Sequence, residues 1–341
     1  MKNYSNLKLF YVGHLDERSN SYKRFKVYKS IVDVVGHIDI DEVIYNSITS
    51  KFDHYFNFGI GTFRLNWILN NLELKELDVL LVDNRPFLFR STLKNLKKRY
   101  PNIKIVSVLT DDPFGLYNKG WRLLRDTANL YDVHFVQRSV NVKEIYNYGS
   151  PQVEICYRSF DSNFHCVLPN VVKNNKYHTE FIGSYEKDRC DSIIFLIENG
   201  IKVGVTGDGW ESSELFSRFP EFYLGPAVFG DAYIDKINSI NIALHFLRHA
   251  NRDEQDSRTF ELPACGAAVI AEFSDLHGNL FEENKEILFF RNNIELLERV
   301  RFLVGRPDLV SAIGLAGQVR CFSSGYDHQS RVISILDKIA G

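Results

Sequence analysis

Short apolar runs alternate with stretches of helical composition along the first half of the chain. The apolar runs cover residues 7–12, 79–82, 103–109, 133–136 and 153–156, and the predicted helices cover residues 22–35, 90–99 and 142–148. This alternation is typical of parallel strands joined by crossover helices. The first half therefore predicts one open α/β sheet.

The same alternation restarts after a polar, irregular segment at residues 159–178, which we interpret as a linker. The further predicted strands cover residues 181–182, 202–206, 240–245, 268–271 and 287–290, and the further predicted helices cover 188–199, 293–304, 307–322 and 327–340. Because 341 residues exceed what one core usually supports, we expect two Rossmann-like domains.

We place the first domain at residues 1–165 and the second at 166–325, and we expect residues 326–341 to form a helix that packs back on the first domain. The predicted fold class is thus α/β, with two Rossmann-like domains facing across a cleft. Open parallel sheets bind ligands beyond the carboxyl ends of their strands, so functional residues are expected there.

The near-equal numbers of positive and negative residues argue against some classes of binding partner. With 41 Lys and Arg against 43 Asp and Glu, no global field favours nucleic acid or an anionic membrane. The basic helix at residues 90–99 is a local exception. It is more typical of a solvated face than of a nucleic-acid site, so a nucleic-acid acceptor is disfavoured.

The cysteine pattern and the short apolar runs favour a protein of the reducing cytoplasm. The five cysteines are odd in number, widely spread and lack a C-x-x-C spacing, which argues against a disulfide framework or a zinc site. The first apolar run predicts a strand and not a secretion signal. No run approaches the roughly 20 apolar residues that cross a bilayer. We expect a cytoplasmic protein whose membrane contact, if any, is peripheral.

Gly13 and two aspartates end predicted strands in the first half. Gly13 lets the backbone approach a ligand, although an ordinary strand-to-helix turn explains it equally well. No G-x-G-x-x-G follows, which disfavours a standard dinucleotide dehydrogenase. Asp111 and Asp112 precede Pro113, so one carboxylate is a candidate base or hydroxyl binder and the other a turn cap. An ordinary Asp-Pro loop is the alternative.

Two glycine turns end strands in the second half. Gly183 and Ser184 precede a helix that carries Arg189, and turn amides with a guanidinium suit phosphate oxygens. The second turn consists of Gly207, Asp208, Gly209 and Trp210. It combines an open backbone with an indole against which a base or sugar could lie. The alternatives are a solvated arginine and a core tryptophan.

Arg258 and Glu261 stand three apart at the start of a predicted short helix, in the stretch "SRTFELPACGAAVIAE". This spacing places both side chains on one helix face. The Gly266 turn and the apolar strand behind it indicate that the face lies at the cleft. We expect Arg258 to contact a diphosphate and Glu261 a ribose. A surface ion pair, which contributes little stability, is the alternative.

The block R-x-F-E-x-x-A-C-G, formed by residues 258–266, resembles the C-terminal half of GT-B glycosyltransferases, particularly the spore-maturation CgeB-like group. The segments "FIGSYEKDR", "VTGDGW" and "DDPF" resemble other parts of that family more weakly. The resemblance covers most of the chain and is specific only in the 258–266 block.

The resemblance implies an enzyme that transfers a sugar from a nucleotide-diphosphate sugar to a hydroxyl acceptor, with no cofactor beyond this co-substrate and no essential metal. The second domain would hold the donor and the first the acceptor, which could be a glycan, a lipid-linked sugar, a protein or a small molecule. Arg258 and Arg189 would stabilise the departing diphosphate.

Broader retaining relatives carry two glutamates separated by seven residues. Glu261 fits the later one, and Asp253 falls at the earlier one. This shorter carboxylate leaves the sugar contact and the retaining outcome open. A nucleotide-sugar isomerase of the same fold and a non-catalytic nucleotide-sugar-binding protein remain alternatives.

Overall fold

The chain folds into two compact units, each built on its own sheet. The structure, a computed structural model, describes residues 3–17, 19–116, 119–169 and 171–340. Unit 1 comprises Met1–Arg158, Arg248–Asp253 and His328–Gly341, and unit 2 comprises Ser159–Leu247 and Glu254–Asp327. Each unit contains a six-stranded parallel sheet with flanking helices, which confirms the predicted α/β class.

The sheet of unit 1 has the strand order β2-β1-β3-β4-β5-β6. Its strands are β1 (Lys8–Gly13), β2 (Asp33–Asp39), β3 (Val79–Asp83), β4 (Lys104–Leu109), β5 (Val133–Val136) and β6 (Val153–Ile155). All five residues of β3 are buried, as expected of a central parallel strand covered on both faces.

The helix predicted at residues 22–35 is wrong at its C-terminal end. The helix stops at Ile31, and the edge strand β2 begins at Asp33. The apolar residues Val34 and Val35 are compatible both with an extension of helix α1 and with a strand. Because most of β2 is only partly buried, it lacks the apolar run that identifies a central strand.

The helices of unit 1 cover both faces of its sheet. In chain order they are α1 (Asn20–Ile31), α2 (Ser50–Phe56), α3 (Ile60–Asn70), α4 (Arg90–Arg99), α5 (Arg122–Thr127) and α6 (Ser139–Tyr146). Leu65 of α3 and Leu93 of α4 pack on one face against Val12 and Leu80, while Phe25 and Tyr28 of α1 pack in a separate cluster.

The sheet of unit 2 has the strand order β12-β11-β10-β7-β8-β9. Its strands are β7 (Thr179–Ile182), β8 (Val203–Thr206), β9 (Tyr223–Gly225), β10 (Ile242–His245), β11 (Ala268–Glu272) and β12 (Leu288–Phe290). The order runs outward in both directions from the neighbouring strands β7 and β10. Their carboxyl ends therefore form the switch point at which sheets of this kind bind ligands.

The helices of unit 2 are α7 (Lys187–Glu198), α8 (Glu214–Arg218), α9 (Asp231–Ser239), α10 (Arg258–Ala264), α11 (Asp275–Leu280), α12 (Asn293–Leu303) and α13 (Pro307–Ser323). Short helix α10 packs between β11 and α13. Gly314 of α13 allows close packing, because a Cβ there would lie 2.4 Å from the carbonyl oxygen of Gly266.

The final helix, α14 (His328–Ala340), is part of unit 1 and packs along α1. Val332, Ile335, Leu336 and Ile339 enter the same core cluster as Tyr28. Burying four aliphatic side chains of this kind contributes roughly 1.5–3 kcal/mol each.

Candidate functional site

Three crossover helices of unit 2 begin at the carboxyl edge of its sheet. A crossover helix runs opposite to the strands it connects, so its first turn lies at the edge where the preceding strand ends. The first turns of α7, α9 and α10 carry Arg189, Tyr233 and Arg258. The fold thus brings two cations and a phenol to the switch-point side of the sheet.

The turns after β7 and β8 are in direct contact. Gly207 has a φ of 153°, and a Cβ there would lie 2.0 Å from the carbonyl oxygen of Gly183. Glycine is therefore required at position 207 for the two turns to approach each other. The backbone N–H of Tyr185 donates to the carbonyl oxygen of Asp208 at 2.9 Å and joins the turns a second time.

Trp210 holds these turns from inside the core. Its indole is fully buried, packs edge-on against Phe181 and Tyr185, and donates from Nε1 to the carbonyl oxygen of Gly183 at 2.9 Å. The flat face expected to receive a base or sugar is therefore covered by protein. Trp210 therefore does not face a ligand but fixes the position of Gly183, which lies in the candidate site.

The exposed part of the two turns consists of Ser184, Asp208 and Gly209. Gly209 adopts a φ of 83°, in the left-handed region that favours glycine. One carboxylate oxygen of Asp208 accepts a hydrogen bond from the backbone N–H of Ala227 at 2.8 Å. The turn thus presents hydroxyl, carboxylate and backbone groups on a fixed framework.

Arg189 links the ends of the two switch-point strands. Its guanidinium donates to the carbonyl oxygens of Ser184 at 3.2 Å and Phe246 at 3.4 Å, and it lies over the ring of Phe181. The buried arginine therefore places a positive charge behind the turn and fixes its backbone.

Arg258 and Glu261 meet on the phenol ring of Tyr233. The guanidinium carbon of Arg258 lies 5.5 Å from the ring centroid, and the phenol O–H donates to Oε2 of Glu261 at 2.5 Å. Burial, together with Glu261, raises the pKa of Tyr233 well above its usual value although Arg258 opposes the shift. The phenol therefore stays protonated and remains a donor at neutral pH.

Glu261 is buried, with 5% of its surface exposed, which excludes the alternative of a solvated surface ion pair. Its other oxygen, Oε1, lies 3.6 Å from Nε2 of His165. Arg258 and Glu261 thus share one helix face, as predicted from their spacing, and Tyr233 lies between their charges.

Asp256 fixes the start of α10. Its Oδ1 accepts hydrogen bonds from the backbone N–H of Arg258 at 2.7 Å and from Nε2 of His245 at 2.8 Å. Burial alone would raise the pKa of Asp256, but His245, Arg258 and Arg189 hold it well below its ordinary range. The carboxylate therefore stays charged and anchors Arg258.

Three buried polar atoms at this edge lack a hydrogen-bond partner among the described residues. They are Nε of Arg258, Nδ1 of His245 and Oγ1 of Thr206. Buried polar atoms in proteins are nearly always paired, so a group of unpaired ones is typical of a site that a ligand completes. Two of the three belong to residues at the ends of β8 and β10.

The first-half candidates lie in unit 1, where most are already engaged. The carboxylate of Asp112 accepts from Nε and Nη2 of Arg252, at 2.5 and 2.8 Å, and from Nδ2 of Asn141 at 2.9 Å. Burial would raise the pKa of Asp112, but these donors lower it. Asp253 is paired with Arg138 in the same unit.

Asp111 is less constrained than Asp112. It is partly buried, and its carboxylate accepts a hydrogen bond from Nδ2 of Asn84 at 3.3 Å. Asn84 itself has a φ of 80°, and its Oδ1 is buried without a hydrogen-bond partner among the described residues. A left-handed, non-glycine residue with an unpaired buried oxygen is the kind of strained feature that clusters at functional sites.

Gly13 is buried at the end of β1. A Cβ there would lie 2.7 Å from the ring of Tyr11 and 2.8 Å from the hydroxyl of Ser21. Glycine is thus required at position 13 because neighbouring side chains of the protein, and not a ligand, lie close to its backbone.

Tyr233, His245, Asp256 and His165 were not predicted from the sequence. Tyr233 lies on α9, a helix absent from the prediction, although Ile234 and Ile237 have helical spacing after a Gly-Asp start that is typical of a helix N-terminus. No local pattern indicates the contacts of His245 or His165, because their partners are distant in the sequence.

Comparison with known proteins gives a family match for part of the chain. Residues 192–337 match the family model described as "Glycosyl transferase-like". This segment covers most of unit 2, including Tyr233, Arg258 and Glu261. No curated protein sequence matches the chain.

Solved structures with the same fold span nearly the whole chain. Sucrose-phosphate synthase from Thermosynechococcus elongatus aligns with a TM-score of 0.68 and 7% identity over 98% of both chains. Anabaena HepE, solved with UDP-glucose, aligns with a TM-score of 0.62 and 11% identity over 98% of this chain and 100% of that one. A glycosyltransferase from Rickettsia africae aligns with a TM-score of 0.61 and 12% identity over 98% of both.

At these identities the likeness establishes the fold. The GT-B architecture of two Rossmann-like units, expected from the sequence resemblance, is confirmed. Membership of the CgeB-like group stays a prediction.

Proposed function

We propose that the protein is a glycosyltransferase that binds a nucleotide-diphosphate sugar at the carboxyl edge of unit 2 and transfers the sugar to a hydroxyl acceptor. The observation that carries this proposal is the group formed by Arg258, Tyr233 and Glu261. It offers a cation with an unpaired donor beside a buried carboxylate. The match of residues 192–337 to a glycosyl transferase-like family supports the same function.

Breaking the bond between the anomeric carbon and the diphosphate leaves growing negative charge on the phosphate oxygens. Fixed donors aimed at that charge are the main catalytic resource for such a step. Arg258 is held at the start of α10 by Asp256, so its guanidinium is preorganised and its Nε is available to an oxygen of the ligand. We assign Arg258 the role of stabilising the leaving group, with Arg189 holding the turn that would receive the phosphates.

Glu261 is the candidate ribose contact. A carboxylate can accept hydrogen bonds from both hydroxyls of a ribose. Oε2 of Glu261 accepts from Tyr233 and Oε1 lies 3.6 Å from Nε2 of His165, so these two neighbours would fix the orientation of the carboxylate that meets the ribose. We therefore expect Tyr233 to act as a positioning residue for both charged neighbours.

On the acceptor side, Asp111 is a better candidate than Asp112. Asp112 would have to break a two-pronged ion pair with Arg252 before it could take a proton or bind a hydroxyl. Asp111 has one described hydrogen bond, from Asn84. A retaining outcome and independence from metal ions are part of this proposal, and activity in the presence of EDTA tests the latter.

The first donor to test is UDP-glucose, because one structural neighbour was solved with it. The purified protein would be screened with nucleotide sugars by thermal unfolding, since a ligand at 100 times its dissociation constant adds about 2.7 kcal/mol of stability. Positive donors would then be incubated with and without candidate acceptors, and nucleotide release and product mass would be measured.

The expected result is stabilisation by a nucleotide sugar and acceptor-dependent transfer, with both lost in Glu261→Ala and retained in the surface control Asp191→Ala. A new sugar nucleotide formed without an acceptor would indicate an isomerase, and binding without turnover would indicate a sensor. Unchanged donor binding in Glu261→Ala would refute the ribose assignment.

A further inference from the structure

Helices α2 and α3 of unit 1 and the turns beside them carry several large apolar side chains on the outside, although Leu65 and Leu69 of α3 are buried. We define the aromatic patch as Ile48, Phe52, Tyr55, Phe56, Phe58, Ile60, Phe63 and Trp67, each between 49% and 93% exposed. Soluble proteins expose single apolar side chains freely, but a contiguous group of this size marks an interaction site. Ring contacts link Phe52 with Phe56 and Phe58 with Phe63.

The patch is held in place by polar side chains that point inward. Asp53 is fully buried and accepts from the backbone N–H of Thr62 at 2.7 Å and from the hydroxyls of Thr62 and Thr49 at 2.6 and 2.7 Å. Asn66, also buried, donates to the carbonyl oxygen of Phe87 at 2.8 Å. Because these bonds fix the rotation of α2 and α3, the aromatic rings cannot turn inward without breaking them.

The exposed charges carried by α2, α3 and α4 themselves are positive, whereas the neighbouring turn of residues 41–45 carries Asp41 and Glu42. Between Val43 and Leu72 the only acidic residue is the buried Asp53, and between Asn84 and Thr110 there is none. Exposed cations on these elements are Lys51, Arg64, Arg90, Lys94 and Lys98. Helix α4, which carries the last three, packs beside α3 through Phe89 against Phe63 and through Asn95 bonded to Asn70. The whole chain has a net charge of −2, so this is a local concentration of positive charge.

We infer that the aromatic patch and the adjoining cations of α4 dock on an anionic lipid bilayer. Tryptophan, tyrosine and phenylalanine favour the headgroup boundary, and lysine and arginine beside them are attracted to anionic lipids. A protein partner of matching chemistry would need an acidic rim around an apolar centre, whereas a bilayer supplies both features without specific shape. Within the described part of the chain no helix is long and apolar enough to cross a membrane, so the contact is peripheral.

The test is co-sedimentation of the full chain with vesicles of phosphatidylcholine alone and of phosphatidylcholine mixed with phosphatidylglycerol. We expect binding to the mixed vesicles that weakens with added salt. The double substitution Phe63→Ser and Trp67→Ser should reduce it by about tenfold or more. The matched control is Leu315→Ser with Val319→Ser, two exposed apolar residues of α13 in unit 2, which should bind like the original chain.

Trp67 provides a direct readout of insertion. The other two tryptophans, Trp121 and Trp210, are buried. Brominated phosphatidylcholine in the mixed vesicles should therefore quench the fluorescence of Trp67 selectively. The double substitution Lys94→Gln and Lys98→Gln should weaken binding to anionic vesicles.

Three results would overturn the inference. They are absence of vesicle binding by the original chain, equal binding by the Phe63→Ser, Trp67→Ser variant, and a dimer without vesicle binding that this variant abolishes. The last would assign the patch to a second copy of the chain. No donor is present in these assays, so their outcome is independent of the proposed enzymatic function.

Discussion

The carboxyl edges of the two sheets differ in how their arginines are paired. In unit 1 the buried acids are paired: Asp83 with Arg24, Asp112 with Arg252 and Asp253 with Arg138. In unit 2 Arg258 faces an aromatic ring and keeps Nε unpaired. Ion pairs inside the protein stabilise its fold, whereas the unpaired Nε of Arg258 is, in the function proposed above, the donor that meets the ligand.

The largest expected effect comes from breaking a pair in unit 1. Asp83 is fully buried and binds Arg24 through two hydrogen bonds, at 2.9 and 2.6 Å, and accepts from Tyr11. Asp83→Ala would leave the Arg24 charge buried and unpaired, which typically costs about 3–5 kcal/mol. Chemical denaturation measures the loss.

The matched control for this experiment is Asp191→Ala, which removes a pair with Lys187 on the surface of unit 2. We expect no measurable change in unfolding, because solvent screens exposed pairs. If both substitutions lowered the free energy of unfolding equally, the buried pair would stabilise the protein no more than the surface pair does.

The next effect concerns activity and not stability. Arg258→Ala should lower kcat by about 10²–10³-fold, or roughly 3–4 kcal/mol, because in the proposed function it removes the donor that stabilises the leaving group. The free energy of unfolding should fall by less than in Asp83→Ala, because Asp256 keeps its hydrogen bond with His245 and Glu261 keeps the one from Tyr233 when the guanidinium is removed.

Arg258→Lys should recover part of the activity, as it restores the charge without the planar donor geometry. Steady-state kinetics with the donor found by screening, together with denaturation of each variant, separates the two effects. A strongly destabilised Arg258→Ala with normal kcat would show that Arg258 is a structural charge like Arg24.

Acid should destabilise both units, through one buried histidine in each. Burial lowers the pKa of His134 in unit 1 and of His277 in unit 2 to about 4, from 6.5. Above pH 6.5 each is neutral whether folded or unfolded, and the stability is fully present. As the pH falls toward 4, the unfolded chain binds protons that the folded chain excludes, which costs roughly 3 kcal/mol per histidine.

Thermal unfolding between pH 7 and pH 4.5 measures this loss. His134→Gln and His277→Gln should each make the stability less dependent on pH. A slope that is unchanged in both variants would mean that carboxylates alone account for the acid sensitivity.

The smallest predicted effect is that of Tyr233→Phe. The substitution keeps the ring under Arg258 but removes the donor to Glu261, and a hydrogen bond to a charged group contributes about 1.5–3 kcal/mol. Part of that loss should appear as weaker donor binding, measured by calorimetry, with the largest change in KM. Wild-type donor affinity in Tyr233→Phe would show that Glu261 does not depend on the phenol.

The strands that the sequence predicted well are those buried on both faces. β3 begins with four apolar residues and β5 has three apolar residues around His134, and both were located within one residue. Edge strand β2 and helices α2, α3 and α9 were missed. These elements carry glycine or apolar residues on their exposed faces as well as on their buried ones. The alternation of apolar and polar residues that identifies a strand or an amphipathic helix is therefore weak.

Of the candidate site, the local part was predictable. Arg258 and Glu261 lie three apart on a helix that begins at Arg258, as their spacing indicates. The ion pair between Asp112 and Arg252, 140 residues apart, depends on tertiary placement that a single sequence does not encode locally. The same holds for Tyr233, whose contact with Glu261 spans 28 residues.

The position of α14 has a consequence for synthesis of the protein on the ribosome. The helix that completes the core of unit 1 is translated after every strand of unit 2. While residues 159–327 emerge, the faces of Tyr28 and its neighbours that α14 will cover remain open to solvent or to chaperones. Domains generally mature in order from the N-terminus. Here unit 1 begins to be synthesised first but is completed only when α14 has emerged. A nascent chain stalled before α14 should therefore expose the apolar surface of unit 1 that α14 covers.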